Sequence, residues 1–386
     1  MSTWWKSIAD LDDDQKKVIA LPKNGDHLIL GPAGCGKTNL LLLRATFLVK
    51  AGVTDVTVLT FGRVLKEFLA AGTTNYDITN DRIQTYIQWG TQLLGANGIS
   101  FQDGGDFREV RARLLEQLQE LSALGKPINI SDCILLDEAQ DYSGDEISVI
   151  CSFARQVYAV GDERQRVTEV TGGLEALELR CGKPVELRHH YRNGLKICRV
   201  ADGIRNEIDS EDGMEASSRY NEHDFESSVR EHSGLSLADQ CAVAIEEIDT
   251  QLFAYPDEAI GVLCPKLENA HVVAAALKAS KIGHRVQTQI STEGYHAFDP
   301  DRPVVVSTIV GAKGLEFRAA HLLGMESLYK FGSRQKNLAF TGVTRAKTSL
   351  RIYYDKSIPG YLARGVAAAD DVVAADPLLD DLFLKA

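Results

Sequence analysis

The sequence predicts an α/β protein with two similar parallel-sheet domains in tandem. Three observations predict it. Short apolar runs alternate with helical patterns along most of the chain, the rhythm of parallel strands joined by helices. The strand candidates fall into two groups, before and after about residue 184. At 386 residues the chain also has room for two or three domains at about 150 residues each.

The first group of strands is His27–Leu30, Val56–Phe61, Cys133–Leu136 and Val157–Val160. The second is Val185–Leu187, Ile260–Cys264, Arg285–Gln289, Val304–Ile309, His321–Leu323 and Leu350–Tyr354. Many are β-branched and bounded by Gly, Asp or Pro, as buried strands are. Asp106 to Leu124 reads as one helix, opened by Asp106 and Glu109 as a capping box and stopped by Gly125. Residues 203–240 are polar, acidic and poor in apolar periodicity, which predicts a loop-rich insertion. The chain then divides into residues 1–184, residues 185–360 and an acidic, apolar tail over 361–386. In the tail, Leu378, Leu379, Leu382 and Phe383 fall at helical spacing.

Hydrophobic residues make up 44% of the chain and charged residues 25%, a globular composition and not a disordered one. The net charge of −12 argues against a general nucleic-acid coat, whose surface would be strongly basic, but leaves room for a local basic groove. The seven cysteines form no CxxC pair and read as reduced thiols. The longest leucine run, Leu40–Leu43, is broken at once by Arg44. No segment approaches the ~20 apolar residues that span a bilayer, so the expectation is a cytoplasmic protein with no membrane partner.

The strongest local signal is GPAGCGKT, which comprises Gly31, Pro32, Ala33, Gly34, Cys35, Gly36, Lys37 and Thr38. It follows an apolar strand and opens an apolar helix, the context of a phosphate-binding loop. Its glycines let backbone N–H groups wrap a phosphate chain, and the helix N-terminus adds partial positive charge. Lys37 would reach the β- and γ-phosphates, and the Thr38 hydroxyl would bind Mg²⁺. The second signal is ILLDEAQD, Ile134 to Asp141. The four apolar residues Cys133 to Leu136 set Asp137 and Glu138 at the end of a strand, where Asp137 can hold Mg²⁺ and Glu138 can activate water.

Further segments follow in order. They are LDDDQ (Leu11 to Gln15), VLTFGR (Val58 to Arg63), VGDERQ (Val160 to Gln165) and HYR (His190 to Arg192). STIVGAKGLEF (Ser307 to Phe317) and LAFTGVTRAK (Leu338 to Lys347) complete the series. Together with the phosphate loop and DEAQD, this series resembles the superfamily 1 helicases of the UvrD/Rep type over roughly residues 11–354. The resemblance implies two tandem RecA-like P-loop NTPase domains with ATP in the cleft between them. It implies that Gln15 reads the adenine edge, Tyr191 stacks on the ring and Gln165 senses the γ-phosphate. Arg192 and Arg345 would reach that phosphate from the second domain, as guanidinium forks suited to phosphate oxygens. Gly314 and Glu316 would border the nucleotide, with Glu316 on the sugar side. Thr60, Phe61, Thr85, Tyr86 and Thr308 would face nucleic acid.

Several departures bear on function. Asn39 stands where the family commonly has an arginine near the base. Only about 45 residues separate Thr85 from Ser131, and about 40 separate Cys264 from Val304, where the family carries its two inserted duplex-gripping domains. Thr168, Val170 and Val310 stand where the family places two aromatic platforms and a DNA-facing histidine. Each lost stack is worth about 1–3 kcal/mol. Two functions fit. One is an ATP-hydrolysing motor on single-stranded DNA with weak unwinding of its own. The other is an ATP-gated switch controlling a protein partner, such as a nuclease or a defence effector.

Overall fold

The structure is a computed structural model, and it describes residues 8–72, 76, 78–125, 131–166, 168, 170–290, 296–329 and 332–369. The first sheet has six parallel strands: β1 (His27–Leu30), β2 (Val56–Thr60), β3 (Ile83–Thr85), β4 (Ser131–Leu136), β5 (Ala154–Gly161) and β6 (Val185–Glu186). Their spatial order is β3-β2-β4-β5-β1-β6. Helices α1 (Asp13–Ile19), α2 (Lys37–Lys50), α3 (Arg63–Gly72), α4 (Tyr86–Ala96), α5 (Phe107–Ala123), α6 (Gly144–Ser152) and α7 (Gly173–Cys181) lie between these strands or precede the first.

A second parallel sheet holds β7 (Ser228–His232), β8 (Ile260–Cys264), β9 (Val286–Gln289), β10 (Val304–Thr308), β11 (Phe317–Leu322) and β12 (Ala346–Tyr353), in the order β7-β12-β11-β8-β10-β9. Its helices are α8 (Leu195–Arg205), α9 (Leu237–Ala254), α10 (Leu267–Lys278), α11 (Ser333–Val343) and α12 (Gly360–Ala368). The fold is therefore α/β, with two RecA-like sheets in tandem. Central strands such as β2 and β8 are buried along their whole length, which is why they read as continuous apolar runs without alternation.

The structure departs from the sequence expectation in three places. The Val185 strand pairs with β1 through Ile29–Val185 and Leu30–Glu186, so the first sheet extends past residue 184. The 203–240 segment is not all loop. It contains the end of α8, the start of α9 and the edge strand β7, whose exposed and half-buried side chains hid it from an apolar pattern. Helix α5, by contrast, starts and stops where expected: the Asp106 side chain accepts from the Arg108 and Glu109 backbone N–H groups, and Gly125 takes the left-handed φ of 68° beyond the helix. Finally, α12 (Gly360–Ala368) continues the helical fold into the first residues of the stretch assigned to a tail, and packs on α8. Gly203 and Gly365 make that crossing close, because a Cβ on Gly365 would lie 2.4 Å from the Val200 carbonyl oxygen. The apolar stripe at Leu378–Phe383 lies outside the described residues.

Candidate functional site

Parallel strands deliver their C-terminal ends to one edge of a sheet, where α/β folds bind ligands. Here β4, β5 and β1 are neighbours in that order. Their C-terminal ends lead into Asp137 and Glu138, into Asp162 to Gln165, and into the glycine-rich loop Gly31–Thr38. Three motifs far apart in sequence thus converge. The second sheet contributes Glu316 and Arg345, which immediately precede β11 and β12. An open cleft between the halves is lined by Gln15, Gly34, Gly36, Lys37, Thr38 and Asn39 on one side. Tyr191, Arg192, Gly314, Glu316 and Arg345 line it as well, and Glu138 and Gln165 reach it from the β4 and β5 ends.

Gly34 (φ 78°) and Gly36 (φ 87°) take left-handed backbone conformations that side-chain-bearing residues rarely adopt. Lys37 folds back over the loop, donating to the Gly31 and Pro32 carbonyls at 2.8 and 2.9 Å. Gln15 donates to the Cys35 carbonyl at 3.0 Å, and the Tyr191 hydroxyl bonds Asp12 at the cap of α1. Gly31, Pro32, Ala33 and Cys35 form the loop behind the cleft wall. Asn39 is buried and accepts from the Tyr76 hydroxyl.

Asp137 and Glu138 have different surroundings. Asp137 is buried, and burial together with the neighbouring Glu138 charge pushes its carboxyl up from the usual carboxylate range. Its Oδ1 accepts from the Glu138 backbone N–H at 2.9 Å, while Oδ2 has no hydrogen-bond partner among the described residues. For Glu138, burial works against ionisation but is outweighed by Lys313, Lys37 and Arg345, which hold its carboxyl below the usual value. Glu138 also accepts from Gln140 Nε2 at 2.6 Å.

The halves meet through a charged seam. Arg345 Nη2 donates to Gln165 Oε1 at 2.5 Å, and its other nitrogens bond the Thr341 and Leu315 carbonyls. It is only 1% exposed, and burial with Arg192 close by pushes its guanidinium down to about 9. Arg192 Nε pairs with Glu316 Oε2 at 2.5 Å, and Lys347 Nζ reaches Glu316 Oε1 at 2.7 Å. Those two cations overcome burial and bring Glu316 down to about 2. Gly314 (φ 83°) passes close to α3, where a Cβ would fall 2.7 Å from the Leu65 methyls.

The nucleic-acid candidates are less accessible than the sequence suggests. Thr60 is buried and bonds the Gly62 carbonyl. Thr85 is buried and caps α4. Tyr86 is buried, stacked on Trp89 at 6.1 Å, and presents no open face. Phe61 and Thr308 are half-buried, and Thr308 Oγ1 accepts from the Gly311 N–H at 3.0 Å. Thr168, at a lost platform position, donates to Asp141 at 3.3 Å.

One site residue escaped the sequence reading. Lys313, from the loop after β10, is buried between Asp141 and Glu138. The available signal was its place in AKGLEF, but a lysine beside two glycines reads as an exposed loop residue until the halves are brought together.

No helix among the described residues is long and apolar enough to cross a membrane. No curated protein matches the sequence. Solved structures that match include the C-terminal domain of a possible DNA helicase from Lactobacillus plantarum WCFS1, at 22% identity and a TM-score of 0.33, covering 46% of this chain and 96% of that one. Residues 303–353, which run from β10 to β12 and contain Lys313, Glu316 and Arg345, match the family model of the UvrD-like helicase C-terminal domain.

Proposed function

We propose that the chain is an ATP hydrolase and superfamily 1 helicase-like motor acting on single-stranded DNA, with weak unwinding of its own. The observation that carries this reading is the Arg345–Gln165 contact across the cleft. It joins an arginine of the second half to the β5 end of the first, beside Lys37 and Glu138. Hydrolysis at such a site needs both halves closed.

In this reading Lys37 exchanges its loop carbonyls for the β- and γ-phosphates. Thr38 and Asp137 are the residues that would hold Mg²⁺, and the unpartnered, buried Oδ2 of Asp137 fits that role. The ion, when bound, would neutralise phosphate charge. Glu138, kept ionised by three cations, accepts a proton from the attacking water. Arg192 and Arg345 stabilise charge that develops on the transferred phosphoryl group. Gln15 and Tyr191 orient the base, and Glu316 binds the sugar side once Arg192 turns to phosphate.

The test is the ATPase rate with and without single-stranded DNA. DNA binding and ATP closure are linked in a motor, so each changes the affinity for the other. The rate should rise with DNA, and the rise should shrink with salt as phosphate contacts are screened. An unchanged rate under saturating DNA at low salt overturns the motor reading. The ATP-gated switch on a protein partner would then take its place. The burial of Thr60, Thr85 and Tyr86 is the observation that favours the switch.

A further inference from the structure

The residue that the motor reading would give the main stacking role, Phe61, is crowded. Its ring meets Phe107 edge-to-face at 5.9 Å and Tyr142 at 5.8 Å, and the Arg111 guanidinium sits 4.8 Å from its centroid. Arg111 is itself fixed, through an ion pair with Glu146 and a 2.8 Å bond to the Asp141 carbonyl. Phe61 therefore works as a support. The open member of the cluster is Phe107, which is 52% exposed.

We propose that Phe107 is the base-stacking platform for single-stranded nucleic acid, with Arg63 and Arg108 contacting phosphates beside it. The inference rests on the motor reading and names a ligand-facing surface for it. Isolated exposed apolar residues are ordinary on protein surfaces, and Leu179 and Phe253 are more exposed than Phe107. Phe107 differs in three respects. It stands against Phe61, which follows the C-terminal end of β2, at the ligand-binding edge of the first sheet. It occupies the first turn of α5, which Asp106 caps through the Arg108 and Glu109 N–H groups at 2.8 and 3.0 Å, so the ring is presented on a fixed backbone. And each phenylalanine has an exposed arginine close by in the chain, Arg63 after Phe61 and Arg108 after Phe107, on a protein that is acidic overall. A flat ring with cations beside it suits an unpaired base and its backbone, because stacking is sequence-tolerant and the charge tracks the phosphates.

The cluster also leads inward. Phe61 touches Tyr142, which directly follows DEAQD, and Arg111 holds the carbonyl of Asp141. A base pressed on Phe107 would bear on the segment that carries Glu138.

The experiment measures binding of a fluorescent oligo-dT to the full chain by anisotropy at low salt. Phe107→Ala should weaken binding about 5- to 100-fold, the range of one base–aromatic stack. Phe107→Trp should bind like wild type, and Leu179→Ala on α7 should have no effect. Arg63→Ala combined with Arg108→Ala should lower the slope of log affinity against log salt by about 1.4. Wild-type affinity in Phe107→Ala overturns the platform while leaving the motor reading standing. Equal loss in Leu179→Ala overturns it as well. Absence of oligo-dT binding by the wild type overturns the motor reading itself, and the platform with it.

Discussion

Lys313 Nζ lies 3.4 Å from Glu138 Oε2, across the boundary between the two sheets. The ammonium is buried, and its charge is balanced on the other side by Asp141. Burial taken alone would favour its deprotonation, because it disfavours the charged form. The two carboxylates overcome that penalty and raise it above the ordinary lysine value. One cation thus ties the second half to the acidic end of β4.

Replacing that cation should have two effects. Lys313→Met removes one partner of a buried charge cluster and leaves carboxylates unpaired, which costs about 3–5 kcal/mol. It also removes the leading charge that keeps Glu138 ionised, so the acid limb of the turnover–pH profile should move upward. For stability the sign is that of a raised lysine. Its contribution is complete below the unfolded value near 10.5 and is lost as pH rises through the higher folded value. Denaturant midpoints of wild type and Lys313→Met should therefore converge above pH 10.5.

Glu316 provides the opposite sign. Its folded value of about 2 lies below the ordinary 4.5, a difference worth about 3 kcal/mol. That contribution is complete above pH 4.5 and is lost as pH falls towards 2. The stability gap between wild type and Glu316→Gln should narrow from pH 5 to pH 3, as read from urea midpoints. A constant gap would mean that the Arg192 and Lys347 pairs do not act on Glu316.

The two cleft arginines should separate under mutation. Arg192→Ala should cut ATP hydrolysis about 10³-fold, the scale of arginine fingers, with a smaller loss of stability than Arg345→Ala, because Lys347 still pairs with the Glu316 carboxylate that Arg192 leaves. Arg345→Ala should cut hydrolysis and also lower the melting temperature, because it strips bonds from the Thr341 and Leu315 carbonyls and from Gln165. Single-turnover hydrolysis and calorimetry on both variants distinguish the cases.

On the phosphate side, Glu138→Gln should retain nucleotide and stop turnover, since the Asp137 carboxylate remains. Lys37→Ala should lose tight nucleotide binding, because it removes the charge carried by the loop. Comparable turnover by wild type and Glu138→Gln would remove Glu138 from the role of base.

The α8–α12 crossing can be tested without touching the cleft. Gly365→Val would drive a side chain into the Val200 carbonyl, where even a Cβ falls at 2.4 Å. Overpacking of this kind costs about 1–3 kcal/mol. The melting temperature should fall by roughly 2–4 °C for each kcal/mol.

The parallel α/β class, the glycine-rich loop before α2 and the acidic strand end were legible in the residues alone. These are local: a buried strand is a continuous apolar run, and a phosphate loop is a fixed spacing of glycines before a helix. Edge strand β7 was not legible, because its side chains lack an apolar face. The grouping of Val185 with the first sheet was invisible too, since pairing with β1 leaves no mark in a two-residue strand. The packing of distant segments brings Lys313 to Glu138, buries Tyr86 in the core and leaves Phe107 as the exposed end of an aromatic cluster. Each depends on which distant segments share one edge of a sheet, and burial and ion pairing are properties of that edge as a whole.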